Sequence, residues 1–204
     1  MSRELSRKER EHVTRRQEIL EAALKLFAEK GYHQTSMSEI AKAAEFSIGT
    51  LYGFFKNKEE LFYMLFNEEI EGITRQVQDR LAPLQNPSAK LEAMLESLFD
   101  YFEKRHEAFD IFSANHKTFD SSLKDNLGAM INEKHILFLR ILSEMIQQGI
   151  EAGVFRPLRP EEMALTFMGL VNGSILLWLE SGRKYSIRER VPELMEIFRH
   201  GVEK

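Results

Sequence analysis

Residues 35–61 read TSMSEIAKAAEFSIGTLYGFFKNKEEL and gather hydroxyls, glycines and lysines at spacings suited to a phosphate backbone. Ser36 followed three positions later by Glu39 is a capping box, in which each side chain accepts the other residue's backbone N–H. A helix is therefore predicted from Met37, with Ile40, Ala41 and Ala44 facing inward. After a turn at Glu45 and Phe46, Ser47 caps a second short helix whose inward side is Leu51 and Phe55. Two short helices joined in this way make a helix-turn-helix, and the small Ala41 and Ala44 let them cross closely.

The residues of the second helix that a core does not need are Ile48, Gly49, Thr50, Tyr52 and Gly53, gathered at the end that enters a major groove in such motifs. Gly49 permits close approach of backbone N–H groups to phosphate, and Thr50 and Tyr52 carry hydroxyls for phosphate oxygens. Ile48 and the Thr50 methyl suit contact with thymine methyls. Lys56 and Lys58, beside the start of the next helix, are expected as cationic clamps on the neighbouring backbone, which would make binding steeply salt-dependent.

The elements that must hold this segment are helices. Apolar residues recur at helical spacing: Ile19, Ala22, Ala23, Leu26 and Phe27 make one stripe, and Leu91, Leu95, Leu98, Phe99 and Phe102 another. No stretch alternates like a strand. Stop signals at Gly31, Pro83, Pro87, Gly153, Pro157 and Gly182 divide the chain into about nine helices, expected near 12–30, 37–44, 48–54, 58–81, 88–105, 107–117, 121–152, 160–181 and 187–202. The expected fold is all-α: residues 1–60 form an N-terminal arm and three-helix DNA-binding domain, and residues 61–204 a helical ligand-sensing and dimerisation bundle. The helix at 58–81 is expected to join the two without a flexible linker.

Residues 163–179 contain no charge, yet the run is short for a membrane span. Thr166, Asn172, Ser174 and two glycines dilute it, and Glu161, Glu162 and Glu180 bracket it. A helix apolar on all sides is instead expected to be covered on all sides. Gly169 and Gly173 share a face that admits a close backbone. With Leu177, and with Leu194 and Phe198 of the last helix, they form the expected homodimer interface, since operator recognition by such motifs favours two-fold symmetry. A purely intramolecular core is the other reading of the same pattern.

Charge is distributed unevenly. The chain carries a net −4, but residues 1–16 hold six basic against three acidic side chains, and residues 61–204 hold 17 against 22. That asymmetry orients the front end towards phosphate. Cysteine is absent, which removes disulfides, thiol nucleophiles and cysteine-ligated zinc and suits a reducing cytoplasm. The charged N-terminus has no apolar stretch resembling a secretory signal, so a cytoplasmic location is expected.

With these residues in place, the chain resembles the tetracycline-repressor (TetR) family of bacterial regulators. The resemblance covers roughly residues 15–62 and runs through Ile19, Ala23, Phe27, Gly31, Thr35, Ile40, Ala41, Ala44, Ser47, Gly49, Thr50, Leu51, Tyr52, Phe55, Lys56, Lys58, Glu59 and Leu61. It implies that Thr35, Ser36, Thr50, Tyr52 and Lys58 lie against phosphates, and that Ile48, Gly49 and Gly53 face base edges; Ser47 joins the DNA-facing set. It also implies an all-α ligand-binding domain and dimerisation through the last two helices. Two positions depart from the family pattern: Glu45 stands where a turn glycine is usual, predicting local backbone strain, and Gly53 replaces a commonly large side chain, removing a potential base contact.

The larger C-terminal part is rich in Phe and Met. Phe99, Phe102, Phe112, Phe138, Met145 and Phe167 are expected to line an apolar effector site, with His116 and Asn172 as polar anchors. The expected partners are a double-stranded operator, a small, largely apolar effector and a second copy of the chain, with no cofactor and no metal. Effector binding would shift the population of helix arrangements and move two recognition helices away from the spacing of successive major grooves, roughly 34 Å. An enzyme is not expected: histidines 12, 33, 106, 116, 135 and 200 are scattered, without HExxH, GxSxG or a phosphate-loop motif. The remaining rival is a protein-interaction adaptor that keeps the helix-turn-helix but binds no operator.

Overall fold

Helix starts in this chain are set by side chains that accept otherwise orphaned N–H groups. The computed structural model describes residues 6–115 and 118–202, without the side chains of 112–114. Among the described residues there are nine α-helices and no β-strand. They are α1 (Arg7–Lys30), α2 (Met37–Ala43), α3 (Ile48–Phe54), α4 (Lys58–Leu81), α5 (Pro87–Arg105), α6 (Glu107–Asn115), α7 (Ser121–Glu151), α8 (Pro160–Glu180) and α9 (Val191–Val202), with a 3₁₀ turn at Ile187–Arg190 before the last. The all-α expectation holds.

Two helices differ from their expected limits by more than two residues, each for a local reason. α1 begins well before residue 12, because Ser6 and Glu9 form a second capping box: the Ser6 hydroxyl accepts from Glu9 N, and the Glu9 carboxylate accepts from Ser6 N at 2.8 Å. The segment 187–202 is divided into a 3₁₀ turn and α9. Pro192 has no N–H for the carbonyl four residues back, and its ring crowds that carbonyl, so a regular α-helix cannot run through from Ile187. Elsewhere Asn86 caps α5 by accepting from Ala89 N at 3.0 Å, and Pro87 and Pro160 open α5 and α8 where no N–H donor is needed.

Packing divides the chain into two units. The first comprises Met1–Glu69 with Glu107–Gly128, the second Ile70–His106 with Ala129–Lys204. α4 and α7 each contribute residues to both. In the first unit Ile19, Leu20, Ala23 and Phe27 of α1 are buried with Ile40, Leu51, Phe55, Leu61 and Phe62. Residues 107–128 group with them because Phe119, 4% exposed, packs at 4.9 Å from the Tyr32 ring and 5.2 Å from Phe62, while His33 Nε2 and Thr118 Oγ1 lie 2.8 Å apart. These edge and tilted contacts add to the area buried.

The second unit is built on Leu91, Met94, Leu95 and Phe99 of α5, Leu142 and Ile146 of α7, Phe167, Val171 and Trp178 of α8, and Leu194, Met195 and Phe198 of α9. Burial of each such side chain contributes about 1.5–3 kcal/mol. The Trp178 indole N–H donates to Tyr185 O at 2.8 Å, so that large ring is buried without an orphaned donor. Asp100, 7% exposed, is paired by two arginines: Arg188 Nη1 at 2.8 Å and Arg80 Nη1 at 3.4 Å, the latter also bonded to Glu96. By length and composition α8 is apolar enough to cross a membrane. Met163, Ala164, Phe167, Met168, Val171, Ile175 and Trp178 are nevertheless buried within its own unit, which makes it a core helix there.

Candidate nucleic-acid interface

α2 and α3 are held as a pair by caps at both starts and a tight turn between them. Ser36 Oγ accepts from Glu39 N at 3.2 Å and donates to Glu39 Oε2 at 2.8 Å, while Ser36 N donates to the same carboxylate at 2.9 Å. Lys30 Nζ, at the end of α1, reaches Glu39 Oε1 at 2.8 Å. This bond, with those from Ser36, pushes the Glu39 carboxyl down to about 2, and the Glu39 carboxylate in turn raises Lys30. α2 then closes in a Schellman motif: Phe46 N donates to Ala41 O at 2.9 Å and Glu45 N to Lys42 O at 3.2 Å. The residue that must turn left-handed is Glu45, at φ 60°. The strain expected from its identity is present.

α3 starts at Ser47, whose hydroxyl accepts from Thr50 N at 3.0 Å and shares a hydrogen bond of 2.8 Å with Thr50 Oγ1. Within that pair one hydroxyl proton remains for an outside acceptor. Leu51 is fully buried, and Phe55, the C-cap, is 1% exposed, so one side of α3 is anchored. The other side is open. Ser47, Ile48, Gly49, Tyr52 and Gly53 are exposed, as is Lys56 beyond the helix, and Thr50 is half-buried. A Cβ added at Gly49 would meet only the Ser47 hydroxyl, at 3.8 Å, and one at Gly53 nothing within 4 Å. The leading turn of α3 therefore presents backbone, two hydroxyl-bearing residues and the apolar Ile48 outward.

Three residues expected against phosphates are engaged inside the unit instead. Thr35 is 2% exposed, and its hydroxyl donates to Gly31 O at 2.9 Å and Leu26 O at 3.3 Å, tying the α1–α2 connection to the end of α1. Ser36 is exposed, but its hydroxyl proton is committed to Glu39. Lys58 aims its ammonium at Tyr32 O (2.9 Å), Thr35 O (3.1 Å) and His33 O (3.5 Å), 4.4 Å from the Tyr32 ring centre. Its three N–H donors are thus directed to carbonyls, and burial lowers its pKa. Burial also pushes the Tyr32 phenol above its usual range. These side chains position the motif rather than reach out from it.

The expected effector residues separate. Phe138 and Met145 line a pocket of about 380 Å³ in the second unit, between the C-terminal half of α4, the start of α5 and α7. Val77, Leu81, Met94 and Ile141 make its apolar wall, and Thr74, Gln78, Lys90 and Gln148 add polar groups that the sequence reading missed. Phe99 and Phe167 are fully buried core, and Phe102 packs partly buried against it. Asn172 is exposed on α8, away from this pocket's lining. His116 and the Phe112 side chain lie outside the described residues.

The expected dimer face also divides. Gly169, Gly173 and Leu177 are exposed, and a Cβ at either glycine would meet nothing within 4 Å. Leu165, Leu176 and Leu177 extend an apolar strip along this face, at 60%, 57% and 49% exposure, and Ile197 of α9 is 54% exposed. Leu194 and Phe198, at 4% and 3%, are turned into their own core, because α9 presents Ile197 rather than these two outward.

A capped, closely turned helix pair with an open leading turn, on an all-α chain with a second helical unit, defines a helix-turn-helix regulator. Comparison with known proteins agrees. Residues 19–63 match the family described as "Bacterial regulatory proteins, tetR family", and residues 84–202 match "Tetracyclin repressor-like, C-terminal domain". The chain belongs to the TetR family of transcriptional regulators. It is 31% identical over 191 residues to the uncharacterised HTH-type transcriptional regulator YhgD of Bacillus subtilis (strain 168), covering 91% of this chain and 95% of that one. Among solved structures it is similar to the fatty acid degradation regulator FadR of Bacillus halodurans, with a TM-score of 0.75, 25% identity and coverage of 90% and 94%. It is also similar to AibR in complex with isovaleryl coenzyme A and operator DNA, with a TM-score of 0.65, 25% identity and coverage of 90% and 97%.

Proposed function

We propose that the protein is a homodimeric repressor that binds a two-fold-related operator through α3 and is released by a small amphiphile carrying an acyl chain. The observation that carries this reading is the open leading turn of α3, with Ile48, Gly49, Tyr52 and Gly53 exposed on a helix anchored by buried Leu51 and Phe55. Backbone N–H groups at Gly49 and the hydroxyls of Ser47, Thr50 and Tyr52 approach phosphate, Lys56 adds a cation, and Ile48 touches base edges. Action at the chromosome puts the protein in the cytoplasm. Selection of bound duplexes from a random pool, followed by affinity measurement over a salt series, tests it. A repressor returns one preferred sequence with two related half-sites and a steep salt slope. Equal affinity for all duplexes would leave an adaptor instead.

The second unit's pocket supports the effector class. Its wall is apolar, Lys90 stands at its lining, and AibR, a similar protein, is held with an acyl coenzyme A thioester. An acyl chain would occupy the wall and its polar head the Lys90 side, and binding would favour the helix arrangement with lower operator affinity. Titration with acyl thioesters of graded chain length should lower operator affinity most at one length; affinity indifferent to every length refutes the class. For the dimer, the exposed strip of Leu165, Leu176 and Leu177 beside open Gly169 and Gly173 supports close helix packing across a two-fold. Leu176→Glu should convert the dimer to monomer in sedimentation analysis while leaving helix content intact.

A further inference from the structure

We propose that the first turns of α1 make a second contact with the DNA backbone, through Lys8 and Arg15, and that His12, its ring packed at a tilt against Phe54, aims them. This rests on the operator-binding reading above. Lys8, His12 and Arg15 follow one another at intervals of four and three and so share one face of α1. The His12 ring lies 4.6 Å from that of Phe54, the last residue of α3, so this face of α1 borders the recognition helix. One turn further on, Arg16 is fixed by Glu68 at 2.7 Å and lies 5.9 Å from the Phe55 ring, which locks the orientation of the same face.

The charges around this face are committed in a way that leaves two cations over. Glu9 is engaged by Ser6 in the capping box, which holds its carboxyl below the usual range. Glu11 pairs with Arg7 at 2.9 Å. Lys8 and Arg15 are exposed and form no ion pair among the described residues. A capped helix also presents them as fixed charges rather than on a solvated tail, so less conformational freedom is lost when they meet phosphate. Lys25, several turns further along α1, belongs to a different surface lined also by Glu18, Glu21 and Glu29.

The test uses the full chain and the duplex that it selects, with affinity followed over a salt series. Because the homodimer loses the contact in both subunits, Lys8→Gln and Arg15→Gln should each reduce the magnitude of the slope of log affinity against log salt by about 1.8, and the double variant by about twice that. The loss should be the same on selected and unrelated duplexes, as for any phosphate contact. Lys25→Gln should leave the slope unchanged. His12 is a positioning residue: His12→Ala should lower the slope, and His12→Phe, which keeps a ring on Phe54, should restore it. A sequence-specific wild-type protein whose slope survives the double substitution overturns this contact alone. A wild-type protein without sequence preference overturns the operator reading, and this inference with it.

Discussion

Glu45 holds a backbone conformation that a side chain resists. α7 and α8 end in the same pair of hydrogen bonds as α2, but there the left-handed residues are Gly153 and Gly182, at φ 73° and 71°. A non-glycine residue in this region costs roughly 1–2 kcal/mol, partly offset because glycine loses more freedom on folding. Glu45→Gly should therefore stabilise the protein by about 1 kcal/mol in urea unfolding; a loss of stability would mean that the carboxylate contributes something the turn alone does not explain. Glu39 offers a second residue-level check. Its folded pKa of about 2 lies below the ordinary carboxylate value of 4.5, so its stabilisation of α2 is present above that ordinary value and fades as pH falls towards 2. NMR titration of the Glu39 carboxyl should give a midpoint near 2, and a midpoint near the ordinary value would show that Lys30 and Ser36 do not hold it. Glu39 and Glu45 were legible in the sequence because cap and turn chemistry is local. Lys58 was not: the carbonyls that it meets, at Tyr32, His33 and Thr35, come from more than 20 residues away, and a lysine at a helix start looks the same whether it faces phosphate or backbone.

At the level of elements, boundaries followed from caps, prolines and glycines, and the helix-turn-helix fell where Ser36, Ser47 and the small alanines put it. What helical spacing cannot give is which neighbour covers which face. α9 carries both Ile197 and Phe198, and only packing on α5 and α8 decides that Phe198 turns inward. The pocket in the second unit escaped for the same reason, since Thr74, Lys90 and Gln148 come together only once α4, α5 and α7 are assembled. Element packing also makes Gly149 a sharp test. A Cβ on this residue of α7 would overlap the buried Phe155 ring and press on Pro87 at 3.1 Å. Gly149→Ala should destabilise the protein by about 1–3 kcal/mol, the usual cost of overpacking, although alanine is intrinsically the better helix former. Thermal melting checks the sign: a raised midpoint would mean that the Phe155 loop yields freely.

For the whole molecule, positive charge is concentrated in residues 1–16 and negative charge in residues 61–204, although the net charge is only −4. Among the described residues, the exposed strip on α8 is apolar and the open turn of α3 largely polar, two surfaces of opposite character. The first unit, however, is assembled from two stretches of chain, with the Phe119 ring seated against Tyr32 and Phe62. The helix-turn-helix unit is therefore not a detachable head. A fragment cut after residue 69 would expose the patch that this ring covers and should melt well below the intact protein by circular dichroism. Swapping the front end onto another regulator would then succeed only when residues 107–128 travel with it.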